Sequence, residues 1–186
     1  MEKIRCGWCE KDDLYRKYHD EEWGRPVYDD ETIFEFLILE CFQAGLSWYT
    51  ILSKRENFRK AFDHFDYKKV AAYSDKKIEE LMNNPGIIRN RLKILAAVTN
   101  AQRFMEVQKE FGSFSNYIWG FVDGKPIDNN PEKLSEVPAT TEISDRISKD
   151  LKKRGFKFVG STLVYAHMQA TGMVNDHVQE CFIREK

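Results

Sequence analysis

The chain has 186 residues, 42% of them hydrophobic and 13% aromatic, which suits one globular domain or two small lobes that share a core. The formal net charge of −1 excludes a generally cationic surface, so any binding to nucleic acid would need a local basic patch. No apolar run approaches the roughly 20 residues that span a bilayer, and residues 1–5 lack the apolar segment of a signal peptide. We therefore expect a cytoplasmic protein that does not enter a membrane.

Hydrophobic periodicity predicts an all-α chain with little indication of strands. The first long helix covers residues 29–41, has an aspartate at its start and carries Glu40 on its apolar face. Residues 121–125 predict a small turn or hairpin, and the loop 123–141, which holds three prolines, separates the middle helices from the C-terminal ones. The other predicted helices cover residues 47–62, 67–73, 75–83, 89–111, 144–154 and 161–171.

Cysteine and histidine residues near the two ends of the chain form a candidate metal site. Cys181 lies four residues after His177, a spacing that would place both side chains on one face of a helix. With Cys6 and His19 they make a Cys2His2 set, suited to one structural zinc ion that joins the chain ends. A rival ligand set replaces His19 with Cys9, which forms a CxxC motif with Cys6. From spacing alone, four unrelated residues are an equally good interpretation.

A proline–glycine turn separates two of the predicted helices. Such a turn leaves backbone amides free to contact a phosphate at the start of the second helix. Gly86, Ile87 and Arg89 are therefore candidate DNA contacts in a helix–hairpin–helix element, which binds the DNA backbone without reading its sequence. A proline–glycine pair between helices is more often only a turn, and Ile88 stands where the usual hairpin has a second glycine, which speaks against a tight phosphate contact. Lys157, near a basic helix end, is a further candidate phosphate contact, although a solvated helix end is the simpler interpretation.

Aromatic side chains in the first fifty residues predict a pocket for a flat heterocycle. They are Trp8, Tyr15, Tyr18, Trp23 and Trp48. Such clusters are usually core, an interpretation that is acceptable for Trp23, but Trp8 and Tyr18 alternate with polar and metal-binding residue types. On its apolar helix face, Glu40 must pair, become neutral or contact a ligand, unless it turns outward at the helix end. The next turn, with Gly45 and an apolar tip at Leu46, is suited to wedging into a base stack.

Taken together, these motifs resemble those of the bacterial 3-methyladenine DNA glycosylase I family over essentially the whole chain. The matching stretches are RCGW at 5–8, YHDEEWG at 18–24, QAGLSW at 43–48, GIIR at 86–89, KRGFKFVG at 153–160 and VNDH at 174–177. The resemblance implies a helix–hairpin–helix DNA glycosylase fold in a single compact unit of residues 1–186. Its helical core would cover about 29–122 with the hairpin at 84–89, and zinc would hold segments 1–28 and 141–186 together.

The same resemblance implies an activity and its partners. A monomer would flip out 3-methyladenine from alkylated double-stranded DNA and excise it by hydrolysis, which leaves an abasic site. It would have no lyase activity and need no nucleotide cofactor. The family lacks the catalytic aspartate of most helix–hairpin–helix glycosylases, and this sequence offers no obvious candidate for one.

Roles for individual residues also follow from the resemblance. Glu40 would be the catalytic residue, hydrogen-bonded to the adenine edge, with Tyr18 and Trp48 stacked on the base and Trp8 nearby. Leu46 would fill the gap left by the flipped nucleotide. One structural zinc ion would be bound by Cys6, His19, His177 and Cys181. Cys9 would then be a bystander.

Two other functions remain open on the sequence. A zinc-stabilised, non-enzymatic DNA-binding module would account for the metal and the hairpin but would leave Glu40 and the aromatic residues without a role. A thiol oxidoreductase would use the CxxC motif, although the strand and helix that normally flank such a motif are not predicted around it.

Overall fold

The computed structural model describes residues 3–185, in which ten α-helices surround one continuous apolar core. Of the predicted unit 1–186, residues 1, 2 and 186 lie outside the described residues, and its division into a core and two end segments stays a prediction. The helices are α1 (Asp13–Glu21), α2 (Asp30–Gln43), α3 (Trp48–Leu52), α4 (Arg55–Ala61), α5 (Tyr67–Ala71), α6 (Asp75–Met82), α7 (Arg91–Phe111), α8 (Phe114–Trp119), α9 (Glu142–Lys153) and α10 (Ser161–Ala170).

Short elements of other kinds connect these helices. Two strands of two residues each, β1 (Ile127–Asp128) and β2 (Val174–Asn175), pair in parallel, so the all-α prediction is correct except for this small sheet. The predicted turn or hairpin at 121–125 is a turn rather than a hairpin: it follows the 3-10 turn Gly120–Val122, and the Lys125 amide donates to the Val122 carbonyl at 3.1 Å. Further 3-10 turns are Gly7–Cys9, Asp63–Phe65, Leu134–Glu136 and Phe182–Glu185.

Capping side chains decide where most of the long helices begin. Asp29 accepts a hydrogen bond from the Thr32 amide at the start of α2, as the sequence predicts. Helix α7 begins at Arg91 rather than at residue 89, because the Asn90 side chain caps it. Helix α9 begins at Glu142 rather than at residue 144, because Thr141 is its cap.

The predicted helix 47–62 is wrong, since it is divided into α3 and α4. The Ser53 hydroxyl donates to the Thr50 carbonyl at 2.9 Å, and such local bonds compete with a continuing helix. Helices α1 and α8 are both absent from the predictions, although each begins at a capping side chain, Asp12 for α1 and Ser113 for α8.

Helix α2 runs through the centre of the molecule and is buried on almost all sides, as its apolar sequence requires. Most of its buried residues join the main core, which also includes residues of α7, α8 and α10. Phe36 instead joins a smaller cluster with Tyr18, Trp23 and residues near both chain ends. Since α2 touches both clusters, it brings Glu40 close to the N- and C-terminal segments. Within residues 3–185, no helix has the length and apolarity needed to cross a membrane.

Candidate active site and metal centre

Four side chains from the two ends of the chain meet in one buried group, which we call the metal-binding cluster. Cys6, His19, His177 and Cys181 are each at most 1% exposed. Their sulfur and nitrogen atoms all lie within 4.8 Å of one another. Two thiols and two imidazoles buried together, with no carboxylate among them, are donors typical of a structural metal site.

The spacing within this cluster fits a tetrahedral ion. His177 Nδ1 lies 3.6 Å from Cys6 Sγ and 3.5 Å from Cys181 Sγ, and His19 Nε2 lies 3.5 Å from Cys181 Sγ. For zinc, bonds of about 2.3 Å to sulfur and about 2.05 Å to nitrogen give a tetrahedral sulfur–nitrogen edge of about 3.6 Å. The three sulfur–nitrogen distances therefore match those expected around an ion of this size.

Hydrogen bonds around the cluster orient both imidazole rings. Asp20 Oδ1 accepts from His19 Nδ1 at 2.9 Å, and Arg5 holds the same carboxylate through three further hydrogen bonds. The Trp23 carbonyl accepts from His177 Nε2 at 3.1 Å. In each ring one nitrogen donates outward, so the other nitrogen keeps its lone pair for a metal.

The structure bears on two predictions about the metal ligands. His177 and Cys181 are close, but no helix joins them, because residues 176–181 form an irregular segment and a turn. The predicted helix between the two residues is therefore wrong, although their side chains do lie close together. Cys9 stands outside the cluster, since its thiol donates to the Cys6 carbonyl at 3.1 Å. The position of Cys9 favours His19 over Cys9 as the fourth ligand.

Close backbone packing beside the cluster requires glycine at position 24. Gly24 has a φ of +74°, and a Cβ there would lie 2.9 Å from His177 Nε2. Only glycine combines that backbone conformation with so short an approach.

An aromatic pocket of about 430 Å³ lies next to the metal-binding cluster. All five predicted base-binding residues and Glu40 line it: Trp8, Tyr15, Tyr18, Trp23, Glu40 and Trp48. Trp23 contacts both the pocket and the metal-binding cluster, because its ring centroid lies 5.0 Å from that of Trp8 and 4.6 Å from that of His177. A metal-bound His177 would therefore support one wall of the pocket.

Tyr18 and Trp48 offer aromatic surface beside Glu40. Their ring centroids are 5.6 Å apart, and Tyr18 is only 2% exposed. Burial raises the pKa of the Tyr18 phenol, and the nearby Glu40 carboxyl raises it further, so the phenol is neutral at physiological pH. The indole nitrogen of Trp48 is buried without a hydrogen-bond partner in the described structure.

Glu40 is 1% exposed, which excludes the outward orientation that the sequence left open. Its Oε2 lies 2.9 Å from His167 Nδ1, whereas its Oε1 is buried without a partner in the described structure. Burial raises the pKa of the Glu40 carboxyl, and His167 opposes part of that rise. An unpaired buried acceptor at the wall of a pocket costs free energy of folding unless a ligand donates a hydrogen bond to it.

Sequence reasoning missed His167, Gln43 and Gln169, of which the two glutamines line the pocket. His167 lies on α10, in a segment that was predicted as an apolar buried helix. In the sequence, a single histidine within an apolar helix is the feature that could have marked His167 as a site residue. Its partner Glu40 is 127 residues away in the chain, so no local pattern could pair them.

A second cavity lies beyond Glu40, on the side where the predicted wedge is found. Gly45 and Leu46 line it, together with Phe158. Leu46 is 41% exposed, and Gly45 has a φ of +80°, a conformation that suits glycine. Lys93, which the sequence did not single out, fixes this turn: its ammonium donates to the carbonyls of Phe42 and Ala44 at 2.8 Å and 2.5 Å.

The other predicted DNA contacts lie at the turn between α6 and α7 and before α10. Arg89 and Lys157 are exposed. Ile87 is buried at 3% exposure, so its side chain is not available to DNA. The Gly86 amide already donates to Asn84 Oδ1 at 2.8 Å, which removes one of the amides expected to be free for a phosphate.

The sequence is similar to those of known DNA glycosylases. A sequence profile described as Methyladenine glycosylase matches residues 8–185. DNA-3-methyladenine glycosylase 1 of Escherichia coli (strain K12) is 49% identical over 177 residues, which cover 95% of each chain. DNA-3-methyladenine glycosylase of Haemophilus influenzae (strain Rd) is 48% identical over 177 residues, which cover 95% of this chain and 96% of the relative.

A solved structure shares the whole fold. 3-Methyladenine DNA glycosylase I of Staphylococcus aureus, studied for its recognition of 3-methyladenine, superposes with a TM-score of 0.94 at 39% identity, covering 98% of this chain and 97% of that one. The helical fold that holds this aromatic pocket is thus the fold of the 3-methyladenine DNA glycosylase I structures. The chain belongs to the methyladenine glycosylase family.

Proposed function

We propose that this protein is a DNA repair enzyme that excises 3-methyladenine from alkylated double-stranded DNA by hydrolysis. The observation that carries the proposal is the partnerless Glu40 Oε1 at the wall of an aromatic pocket. Its relatives of nearly equal length are named for the same activity, which adds independent support.

The pocket suits a cationic heterocycle. Methylation at N3 places a positive charge on adenine, and the faces of indole and phenol rings attract such a cation by roughly 0.5–2 kcal/mol each. Tyr18 and Trp48 supply aromatic faces, and the Glu40 carboxylate supplies an acceptor of opposite charge for donors on the adenine edge. Neutral adenine would lack the charge, so charge and ease of flipping would select the lesion.

The reaction needs little from the protein because the lesion is already a good leaving group. Water adds to the sugar carbon C1′ while the bond from C1′ to the base nitrogen N9 breaks. The electron pair of that bond goes to the base, which leaves as neutral 3-methyladenine, and the proton of the water goes to solvent. Glu40 acts on the base by holding it in the pocket.

A break in the DNA strand is not expected. Lyase activity in glycosylases needs an amine that forms a Schiff base with the sugar. No lysine lines the pocket in residues 3–185. The product would therefore be an intact strand with an abasic site.

The DNA would lie across the face that carries the turn after α2 and the turn between α6 and α7. Leu46 at the exposed tip would enter the gap left by the flipped nucleotide. Arg89 and Lys157 would neutralise phosphates, and the backbone at Gly86 and Ile87 would act as the hairpin of a helix–hairpin–helix element. Since the overall charge is only −1, binding depends on such local contacts.

The metal-binding cluster would hold one zinc ion with a structural role. A closed set of two cysteines and two histidines leaves no coordination position for a catalytic water. When bound, zinc would supply cross-linking of the chain ends rather than chemistry on DNA. We also expect a monomer in the reducing cytoplasm, where the four buried cysteines, none of them in a disulfide, would stay reduced.

The experiment is incubation of the purified protein with methylated duplex DNA, followed by chromatography of the released bases. Free 3-methyladenine is the expected product, and unmethylated duplex is the control. Gel analysis of the DNA with and without alkali separates an abasic site from a cleaved strand. Release of no 3-methyladenine would refute the proposal in favour of a non-enzymatic DNA-binding module.

No observation on the described residues supports the alternative function of a thiol oxidoreductase. Cys9 is fully buried and hydrogen-bonded, and Cys6 belongs to the metal-binding cluster. An insulin-reduction assay of the parent and the Cys9→Ser variant would test it directly. Our proposal expects no reductase activity in either protein, and equal release of 3-methyladenine by both.

A further inference from the structure

A buried histidine stands directly behind the carboxylate of the pocket. His167, on α10, is 3% exposed and is not among the residues that line the pocket. Its Nδ1 lies 2.9 Å from Glu40 Oε2, on the side opposite to the partnerless Oε1. The pair joins α10 to α2, the two helices that bound the pocket on this side.

The hydrogen-bond pattern favours one arrangement of protons in this pair. His167 Nε2 is buried and has no partner in the described structure. A protonated ring would leave a charged N–H donor unpaired in the interior, whereas a neutral ring with its proton on Nδ1 leaves only an unpaired lone pair, which costs less. The neutral ring donates from Nδ1 to Glu40 Oε2, so the pair carries one negative charge, which matches the single positive charge of an N3-methylated adenine.

We propose that His167 is a positioning residue for Glu40: it holds Oε2, keeps the carboxylate in its anionic form and turns Oε1 toward the bound base. This inference rests on the proposed function for the identity of the ligand. The pairing of His167 with Glu40 does not, because it is a property of the free protein.

No other group near Glu40 can take over this task. The titratable groups that face the carboxyl are Tyr18 of α1, Cys41 of α2 itself and His167 of α10. Burial raises the pKa of both Tyr18 and Cys41, so both stay neutral, and neither has a hydrogen bond to the Glu40 carboxyl in the described structure. Among the described residues, His167 is the one side chain with a hydrogen bond to Glu40.

The pH dependence follows with a definite sign. Burial raises the pKa of Glu40 and His167 lowers it, so loss of His167 raises it further. Donors on the adenine edge, in the lesion and in the free base alike, bind the carboxylate more strongly than its protonated form, so base binding weakens as pH falls through the pKa of Glu40. Removal of His167 therefore moves the acidic limb of base binding to higher pH.

Two variants separate positioning from packing. His167→Phe keeps an aromatic ring in the core but removes the donor, whereas His167→Asn places an amide N–H near the position of Nδ1. The acidity of Glu40 is measured in the free protein from the chemical shift of a 13C-labelled carboxyl as a function of pH. Binding of free 3-methyladenine is measured over the same pH range by titration calorimetry.

In His167→Phe we expect the Glu40 carboxyl to titrate at higher pH than in the parent, and 3-methyladenine to bind about 10- to 100-fold more weakly at neutral pH. His167→Asn should recover most of both properties. Melting temperatures identify any variant that fails to fold, and the comparison then uses His167→Asn against the parent.

An unchanged titration of Glu40 in a folded His167→Phe variant would overturn the inference. Equal behaviour of the Phe and Asn variants would also overturn it, since packing alone would then explain both. If the titration shifts as expected but the parent releases no 3-methyladenine from DNA, the positioning role stands and the proposed function fails.

Discussion

Removal of the proposed zinc ion should lower the thermal stability of this protein by a calculable amount. An ion bound to Cys6 and Cys181 closes a loop of about 175 residues, and the loop-closure entropy that such a cross-link removes from the unfolded chain corresponds to about 5 kcal/mol. For a chain of this length each kcal/mol shifts the melting temperature by about 2–4 °C. We therefore expect chelation to lower the melting temperature by about 10–20 °C.

The assay combines metal analysis with thermal unfolding followed by circular dichroism. The parent protein should contain one equivalent of zinc and lose the predicted stability when a strong chelator removes it. Cys9→Ser is the matched control, because it alters a buried cysteine three residues from a ligand without touching the cluster. It should keep its zinc and show the same response to chelation.

His19→Ala and Cys181→Ser should contain little zinc and respond little to the chelator. A full equivalent of zinc in His19→Ala together with its loss in Cys9→Ser would refute the assignment of ligands. A shift below about 3 °C in the parent, with the metal demonstrably removed, would refute the cross-link reasoning.

Three further substitutions test the pocket and the turn after α2, which we propose contacts DNA. Glu40→Gln should slow excision about 10- to 100-fold in single-turnover assays, because an acceptor of the base loses its charge, while duplex binding stays nearly unchanged. Leu46→Ala should weaken binding to a duplex with an abasic analogue about 10-fold by fluorescence anisotropy, since an apolar wedge is lost. Lys93→Met should lower the free energy of unfolding by about 2–4 kcal/mol in urea, because the carbonyls of Phe42 and Ala44 lose their donor.

Each of these has an internal control. For Glu40→Gln, equal excision rates in variant and parent would remove Glu40 from the mechanism. Leu46→Ala should bind the free base as well as the parent does, and a weaker affinity there would mean that the pocket itself had changed. For Lys93→Met, unchanged stability would show that water or another group satisfies the two carbonyls.

Sequence reasoning succeeded where the signal was local or came from several dispersed motifs. The position of Glu40 on the apolar face of α2 followed from helical periodicity, and its burial agrees with that interpretation. The match to the methyladenine glycosylase family is confirmed by the profile and by relatives at about half identity. The zinc ion and the roles of the DNA-binding residues stay predictions.

The failures have physical causes. Residues 47–62 have the composition of one helix, but a serine in their middle satisfies a carbonyl locally and the chain divides there. The pairing of His167 with Glu40, and that of Lys93 with the end of α2, join residues far apart in the sequence. Such contacts depend on tertiary packing, and periodicity in a single sequence contains no information about them.

The pocket and the metal-binding cluster are built from alternate positions of the same short segments. Trp8 follows two residues after Cys6, Tyr18 immediately precedes His19, and the carbonyl of Trp23 holds His177. An insertion or deletion within this stretch would therefore displace a recognition residue together with a ligand. If the cluster holds zinc and the pocket binds the damaged base, as we propose, depletion of zinc in a cell would have the same effect. Base binding would weaken although the metal does not touch the base, and the capacity to repair alkylation damage would depend on the supply of zinc.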